Sequence, residues 1–89
     1  MNFVYIIYSI IFDKYYKGFS ENPDNRLLQH NNGQSRYTKH FVPWELIYIE
    51  QLPDKTSALK REIVLKKYSK SQITELVKSQ KNILNIKTG

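Results

Sequence analysis

The chain has 89 residues, contains no cysteine, and carries 14 Lys and Arg against 8 Asp and Glu, which gives a formal net charge of +6. This length leaves room for one domain with a modest core, and the absence of cysteine excludes a disulfide framework and a cysteine-based zinc site. The positive charge favours polyanionic partners such as nucleic acid, although many small proteins are basic without binding DNA.

The N-terminal part of the chain is predicted to form a β-hairpin. Residues Phe3 to Ile11 and Tyr15 to Phe19 are rich in Val, Ile, Tyr and Phe, and the short polar break Asp13-Lys14 separates the two runs. Adjacent β-prone runs of this kind are typical of an antiparallel pair. The first run lacks a basic n-region and a cleavage site and is too short to cross a bilayer. We therefore expect a core strand of a cytoplasmic protein with no membrane partner.

A helix and a third strand are predicted next. Asn22-Pro23 matches an N-cap followed by proline at the first helical position, and Asn32-Gly33 supplies a stop, so the helix runs from about Pro23 to Asn31. After a polar connection and Pro43, Trp44 to Glu50 alternates as a strand. The alternation predicts one face with Trp44, Leu46 and Tyr48 and another with Glu45, Ile47 and Ile49.

Two further helices are predicted in the C-terminal half. Asp54 to Thr56 offers caps for a helix that ends near Tyr68, and Ser69 to Gln72 has the capping-box spacing that begins a last helix. The inward arc of the first of these helices is predicted to contain Ala58, Leu59, Ile63 and Leu65, with Glu62 on the same arc. In the last helix, the buried stripe is predicted to be Ile73, Leu76 and Val77. We expect a domain over residues 1–80 and a C-terminal tail over residues 81–89.

Glu62 is a candidate metal ligand. A carboxylate on an apolar arc is costly unless it is paired or bound to metal, and magnesium and manganese sites often use only one or two protein carboxylates. The alternative is a Glu62 that a neighbouring Arg or Tyr satisfies, or one that reaches water.

Two helical and two strand residues complete a candidate catalytic set. Arg26 and His30 stand one turn apart on a helix, where Arg can clamp a phosphate and His can relay a proton, although such pairs are also common on solvated surfaces. Tyr5 and Tyr16 lie on opposite arms of the hairpin, close enough to face one pocket. Tyrosine can hold a water nucleophile or act as a base, and it can equally serve in core packing.

The order and spacing of six short motifs resemble the GIY-YIG nuclease superfamily, in particular its small stand-alone bacterial branch of predicted endonucleases. The motifs extend over the chain up to about Val77. They are Val4-Tyr5-Ile6, Tyr16-Lys17-Gly18, Arg26-Leu27 with His30, Arg36-Tyr37-Thr38-Lys39, Pro43-Trp44-Glu45-Leu46 and Lys60-Arg61-Glu62.

The resemblance implies a role for each matched residue. Tyr5 matches the tyrosine of the first motif, Tyr16 and Gly18 the ends of the second, Arg26 the catalytic arginine, Glu62 the metal ligand, and His30 a histidine that accompanies the arginine in this branch. Phe3 replaces the glycine of the first motif and Lys17 the isoleucine of the second, and neither change removes a functional group. A late polar residue of the family, commonly Asn, has no clear counterpart in Asn82 or Asn85.

The fold implied by the resemblance is α/β in the broad α+β sense, with a small, mainly antiparallel three-stranded sheet flanked by helices in the order β-β-α-β-α-α. The implied function is a divalent-metal-dependent DNA endonuclease that uses one Mg²⁺ or Mn²⁺ and acts in DNA repair or recombination. Backbone contacts with DNA are expected from Lys39, Lys60, Arg61, Lys66 and Lys67. Specificity would come from a protein partner or from DNA structure, or would be absent. The alternatives are a non-catalytic nucleic-acid-binding module on the same fold and a purely structural protein.

Overall fold

The computed structural model describes residues 1–86 and contains three strands, four α-helices and one short 3₁₀ helix within that range. The three strands form one antiparallel sheet in the order β2-β1-β3, with β1 in the centre. The α+β class and the three-stranded sheet predicted from the sequence are therefore confirmed. The elements are β1 (Asn2–Ser9), β2 (Lys14–Ser20), α1 (Pro23–Asn31), the 3₁₀ helix (Thr38–Phe41), β3 (Glu45–Leu52), α2 (Lys55–Lys66), α3 (Lys70–Val77) and α4 (Ile83–Ile86).

The predicted hairpin is present, with a wider turn than the sequence suggested. Strand β1 ends at Ser9 and β2 begins at Lys14. Asp13 adopts a positive φ of 53° in the turn, accepts a hydrogen bond of 2.9 Å from the Tyr8 hydroxyl, and forms an ion pair with Lys70 of α3. The apolar residues Ile10 to Phe12, expected largely within a strand, therefore form an exposed tip.

Helix α1 has the predicted bounds because both of its ends carry local signals. The Asn22 side chain accepts a hydrogen bond of 3.1 Å from the Asn25 N–H, and Pro23 occupies the first turn. Gly33 follows the helix with a φ of 78°, a conformation that glycine adopts without strain. The helix is thereby placed with Arg26 and His30 directed along one side.

Strand β3 contains a β-bulge that the sequence did not predict. Ile6 of β1 pairs with Tyr48, whereas the next residue, Ile7, pairs with Leu46, so Ile47 is the extra residue. An extra residue reverses the direction of the side chains beyond it. The predicted single face shared by Leu46 and Tyr48 is therefore wrong, because the two side chains lie on opposite faces of the sheet.

The two faces of the sheet have separate apolar cores. On one face, α2 and α3 cover the sheet with a cluster of Val4, Ile6, Tyr48, Ala58, Leu65, Ile73 and Leu76. On the other face, the cluster contains Tyr5, Ile7 and Trp44, with Tyr16, Leu27, Phe41 and Leu46 packed against it. This second face carries α1 and the 3₁₀ helix, and it is the face on which the candidate site is built.

The buried side of α2 differs from the predicted arc. Leu59 and Ile63 were expected to face inward, but they are 39% and 57% exposed. Compared with the prediction, the helix is rotated about its axis, and the covered residues follow the i, i+3, i+4, i+7 spacing from Ala58. Its buried side consists of Ala58, Arg61, Glu62 and Leu65.

The C-terminal segment packs against the edge strand β3. Asn82 is buried and joins this strand by accepting a hydrogen bond of 3.1 Å from the Ile49 N–H and donating one of 2.9 Å to the Ile47 carbonyl. The expected boundary at residue 80 stays a prediction, and residues 87–89 of the expected tail lie outside the described residues. Among residues 1–86, no helix is long and apolar enough to cross a membrane.

Candidate active site

Tyr5 lies at the centre of the candidate site, on the middle strand of the sheet. Its side chain is 1% exposed, and its hydroxyl is 2.9 Å from His30 Nε2. Gly18 lies directly opposite on β2, where a Cβ atom would be only 2.6 Å from the Tyr5 hydroxyl oxygen. Any larger residue at position 18 would displace the phenol, so Gly18 provides the space in which Tyr5 sits.

His30 is fully buried and is held by a second layer of hydrogen bonds. Its Nδ1 is 2.7 Å from Thr38 Oγ1, and the Trp44 indole N–H donates to the Thr38 carbonyl at 2.8 Å. A phenol is a stronger donor than an imidazole N–H, so we assign the Tyr5 hydroxyl as donor to Nε2. The Nδ1–H of His30 then donates to Thr38, which determines both the tautomer and the ring orientation.

The electrostatics of the site keep this pair neutral at rest. Burial, with a further contribution from the positive charge of Arg26, lowers the pKa of His30 to about 4. Burial also raises the pKa of Tyr5. Arg26 opposes this rise, whereas Tyr16 and Glu62 add to it. At neutral pH, therefore, a protonated phenol donates to a neutral imidazole.

Arg26 lies one turn before His30 on α1, as predicted. Its Nη1 donates a hydrogen bond of 2.5 Å to Gln29 Oε1, which orients the guanidinium. Arg26 is half-buried and close enough to Tyr5 and His30 to influence the pKa of both. It is positioned to bring a bidentate cationic donor to the Tyr5 hydroxyl.

Glu62 approaches the same site from α2. Its side chain is 16% exposed, contributes to the raised pKa of Tyr5, and is paired with Lys66 at 2.9 Å. Within residues 1–86, no group of three or more His, Cys, Asp or Glu could hold a metal ion. A single carboxylate still fits Mg²⁺ or Mn²⁺, since these ions take most of their remaining ligands from water and phosphate. Lys66 is 58% exposed and is free to swing away from Glu62.

Tyr16 lies at the outer side of the His30 ring. The two rings meet edge to face with their centroids 5.0 Å apart, and Tyr37 stacks on the other side of Tyr16 at 6.3 Å. Tyr5, Tyr16, Arg26, His30 and Glu62 are thus brought together from four elements. Their catalytic roles remain predictions.

Four of the five residues expected to contact DNA are exposed, and the fifth has an internal partner. Arg61 Nε donates to Glu50 Oε1 at 3.1 Å, and its guanidinium lies 6.0 Å from the centre of the Tyr68 ring. Because this side chain is only 17% exposed, we leave it out of the DNA-contacting surface. The exposed residues are Lys39, Lys60, Lys66 and Lys67.

Sequence reasoning assigned no role to Thr38 or Gln29. Thr38 was visible only as part of the motif Arg36-Tyr37-Thr38-Lys39, and nothing local shows that it is buried against His30. Gln29, one position before His30, holds Arg26. Asn82, which the family pattern left unmatched, bonds to backbone groups of β3 and the adjoining C-terminal segment.

Comparisons with known proteins place this geometry in a family context. Residues 1–75 match the GIY-YIG family, described as the GIY-YIG catalytic domain. The UPF0213 protein of Staphylococcus saprophyticus is 38% identical over 63 residues, which cover 70% of this chain and 77% of that protein. The UPF0213 protein of Clostridium perfringens is 35% identical over 81 residues, which cover 90% and 86%. The solution NMR structure of a UPF0213 protein from Bacillus halodurans aligns over 99% of this chain and 95% of that chain, at 25% identity and a TM-score of 0.55.

Proposed function

The chain belongs to the GIY-YIG family, and from that premise we propose that it is a divalent-metal-dependent endonuclease that hydrolyses phosphodiester bonds in DNA. The family implies nuclease chemistry, and its nucleases generally use a divalent metal. One observation supports the proposal above all others: the hydroxyl of the buried Tyr5 lies 2.9 Å from Nε2 of the buried His30, beside Arg26 and Glu62. We propose that it acts in the cytoplasm, in DNA repair or recombination.

Arg26 binds the phosphate in this mechanism. Its planar guanidinium offers parallel N–H donors to two phosphate oxygens and stabilises the charge that develops on them during in-line attack. The Gln29 bond at 2.5 Å holds the group in place before the substrate arrives. A preoriented clamp loses less entropy on binding than a free side chain.

Tyr5 and His30 handle the proton of the attacking water. The water oxygen attacks phosphorus, the bond from phosphorus to the leaving oxygen breaks, and solvent protonates the leaving group. The water proton passes to the Tyr5 oxygen as the phenol proton passes to His30 Nε2, along the 2.9 Å bond. The positive charge of Arg26 helps to keep the pKa of His30 low. A bound phosphate compensates this charge, so substrate binding makes His30 a better base.

Glu62 would hold the metal ion once Lys66 gives up its ion pair with this carboxylate. When bound, Mg²⁺ or Mn²⁺ supplies charge stabilisation to the phosphate oxygens. The carboxylate is oriented by burial on α2, and its partner Lys66 is mostly exposed. Lys66 can then contact the DNA backbone together with Lys39, Lys60 and Lys67.

The test is cleavage of labelled linear, nicked, flapped and branched DNAs by purified protein in Mg²⁺, Mn²⁺ or EDTA. We expect cleavage with either metal and none in EDTA. Tyr5→Phe removes the proton relay and should slow cleavage by about 10²-fold or more. Tyr8→Phe is the matched control, because its hydroxyl bonds Asp13 outside the site, and it should cleave like the wild type.

Two results would contradict the proposal. Full cleavage by Tyr5→Phe would remove this tyrosine from the chemistry. Binding of DNA without cleavage of any substrate would favour the alternative, a non-catalytic nucleic-acid-binding module.

A further inference from the structure

A row of aromatic side chains leads from the candidate active site to the tip of the hairpin. Tyr16 stacks on Tyr37 with ring centres 6.3 Å apart, Tyr37 contacts Phe41 at 5.1 Å, and Phe41 meets Phe12 at 5.5 Å. We refer to these four residues as the aromatic row. Its inner end is the Tyr16 ring, which touches His30.

The outer part of the aromatic row is exposed to solvent. Tyr37 is 48% exposed and Phe12 is 46% exposed, and beside Phe12 the tip residues Ile10 and Ile11 are 73% and 67% exposed. Folding does not require so much apolar surface at one place, and contiguous apolar surface beside a site marks a binding surface. The row is therefore a candidate binding surface.

The charges around the row indicate a polyanion. No Asp or Glu occurs between Asn25 and Trp44, whereas this segment contains Arg36 and Lys39. The Lys14 ammonium lies 5.6 Å from the centre of the Phe41 ring. The nearby acid Asp13 is already compensated by its ion pair with Lys70.

Aromatic faces combined with cations suit a nucleic-acid strand whose bases are unpaired. A duplex hides the faces of its bases and presents phosphates and base edges, so it cannot stack on tyrosine and phenylalanine rings. A single strand exposes each base face, and aromatic proteins bind such strands by stacking with little sequence preference. An apolar protein partner would not need the surrounding cations.

We propose that the aromatic row binds unpaired bases adjacent to the phosphate that is cut, so that the substrate class is DNA with a single-stranded segment. This inference rests on the proposed nuclease function. Tyr37 takes the base next to the site because it combines high exposure with direct stacking on Tyr16.

Binding is tested without chemistry, by fluorescence anisotropy in EDTA at fixed salt. The probes are a labelled oligothymidylate and a labelled blunt duplex without a loop, of equal total nucleotide count. We expect the single strand to bind about tenfold more tightly than the duplex, and Tyr37→Leu to weaken binding of the single strand by about tenfold, since the substitution removes a ring on which one base stacks. Tyr37→Phe keeps the ring and should bind like the wild type. Circular dichroism checks that both variants fold.

Cleavage of the same two DNAs in Mg²⁺ separates this inference from the nuclease proposal. Preferential cutting of the single strand that is lost in Tyr37→Leu would support the inference. Equal cutting of both DNAs by wild type and Tyr37→Leu would overturn the inference and leave the nuclease function intact. Tyr37-dependent binding without cutting of these two DNAs or of the nicked, flapped and branched DNAs would support the base-binding surface and overturn the nuclease function.

Two other outcomes would also overturn the inference. The first is tighter binding of the matching RNA than of the DNA strand. The second is a dimer, measured by sedimentation, that Phe12→Ser dissociates while DNA binding is unchanged, because the apolar tip would then serve a second copy of the chain.

Discussion

Two buried tyrosines occupy opposite faces of the sheet and have partners of different kinds. Tyr5 is 1% exposed and bonds a neutral histidine, whereas Tyr48 is 0% exposed and donates to the carboxylate of Glu50. Burial raises the pKa of both phenols. A buried tyrosine with a titratable partner is therefore not by itself a sign of catalysis.

The polar cluster around Tyr5 and the polar cluster around Tyr48 differ in how their charged groups are paired. Glu50 is paired at 3.1 Å with Arg61, and both side chains are 17% exposed, so this cluster is a closed ion pair within the fold. Around Tyr5, the charged groups Arg26 and Glu62 are held by Gln29 and by the largely exposed Lys66. Their charges are available to a ligand, which is what a site for phosphate and metal requires.

The largest expected effect comes from neutralising the carboxylate in each cluster. Glu62→Gln keeps the shape of the side chain but is a poor ligand for a hard cation, so we expect metal-dependent cleavage to fall by about 10³-fold with an unchanged fold. Glu50→Gln should do the reverse: it should retain cleavage and lower the free energy of unfolding by about 1–3 kcal/mol. Single-turnover rates and urea unfolding measure the two effects.

Either of these two variants could contradict the proposed difference between the Tyr5 and Tyr48 clusters. Undiminished cleavage by Glu62→Gln would remove Glu62 from the metal site. A comparable loss of rate in Glu50→Gln, measured under conditions where the protein is folded, would show that the closed cluster also supports the chemistry.

The next effect concerns the geometry of the clamp. Arg26→Lys keeps the charge but replaces a planar fork with a point ammonium, so we expect cleavage to slow by about 10²-fold. Lys78→Arg makes the opposite exchange at an exposed position to which no role in binding or cleavage is assigned, and it should alter the rate less than about twofold. Equal rates for Arg26→Lys and the wild type would mean that only charge matters there.

The neutral histidine predicts that stability depends on pH. The folded-state pKa of His30 is lowered to about 4, below the ordinary value of 6.5. Between these values the unfolded chain binds the proton more readily, so stability is lost as the pH falls from about 6.5 to 4. The loss is up to about 3 kcal/mol. Urea unfolding of wild type and His30→Gln across this range measures it, since the carboxylates titrate in both proteins.

His40→Gln is the control for this prediction because His40 is exposed, and its unfolding curve should follow the wild type. A His30→Gln protein that loses stability as steeply as the wild type would show that His30 is not held neutral. In the proposed mechanism His30 Nε2 takes the phenol proton, so His30→Gln should slow cleavage about as much as Tyr5→Phe. Cleavage close to the wild-type rate would mean that His30 only orients Tyr5.

The smallest expected effect sharpens the contrast between adjacent cations of α2. Lys60 is exposed, whereas Arg61 is committed to Glu50. With about four phosphates neutralised on duplex DNA, log affinity against log salt should slope near −3.6. Lys60→Gln should reduce the slope by about 0.9, and Arg61→Gln should leave it unchanged while lowering stability. Anisotropy on two unrelated duplexes of equal length tests the slope and the expected indifference to sequence.

A flat salt response would mean that the lysines form only a solvated surface. A reduced slope in Arg61→Gln would show that this guanidinium leaves Glu50 to contact DNA.

The sequence by itself determined the elements whose signals are local. Asn22, Pro23 and Gly33 delimit α1 because capping and positive φ depend on a few adjacent residues. The motif residues of the family could be recognised for a similar reason, because residue types and their order along the chain are visible in the sequence without knowledge of the packing. The presence of Tyr5, Arg26 and Glu62 in one site followed from that resemblance.

Only the tertiary structure decided which groups are buried and what each one touches. The bulge at Ile47 reversed half of β3, and the rotation of α2 exposed Ile63 and buried Arg61. Neither change has a local signal, because each follows from how an element packs against the sheet. The low pKa of His30 and its bond to Thr38 have the same origin, since desolvation and long-range hydrogen bonds exist only once distant segments meet.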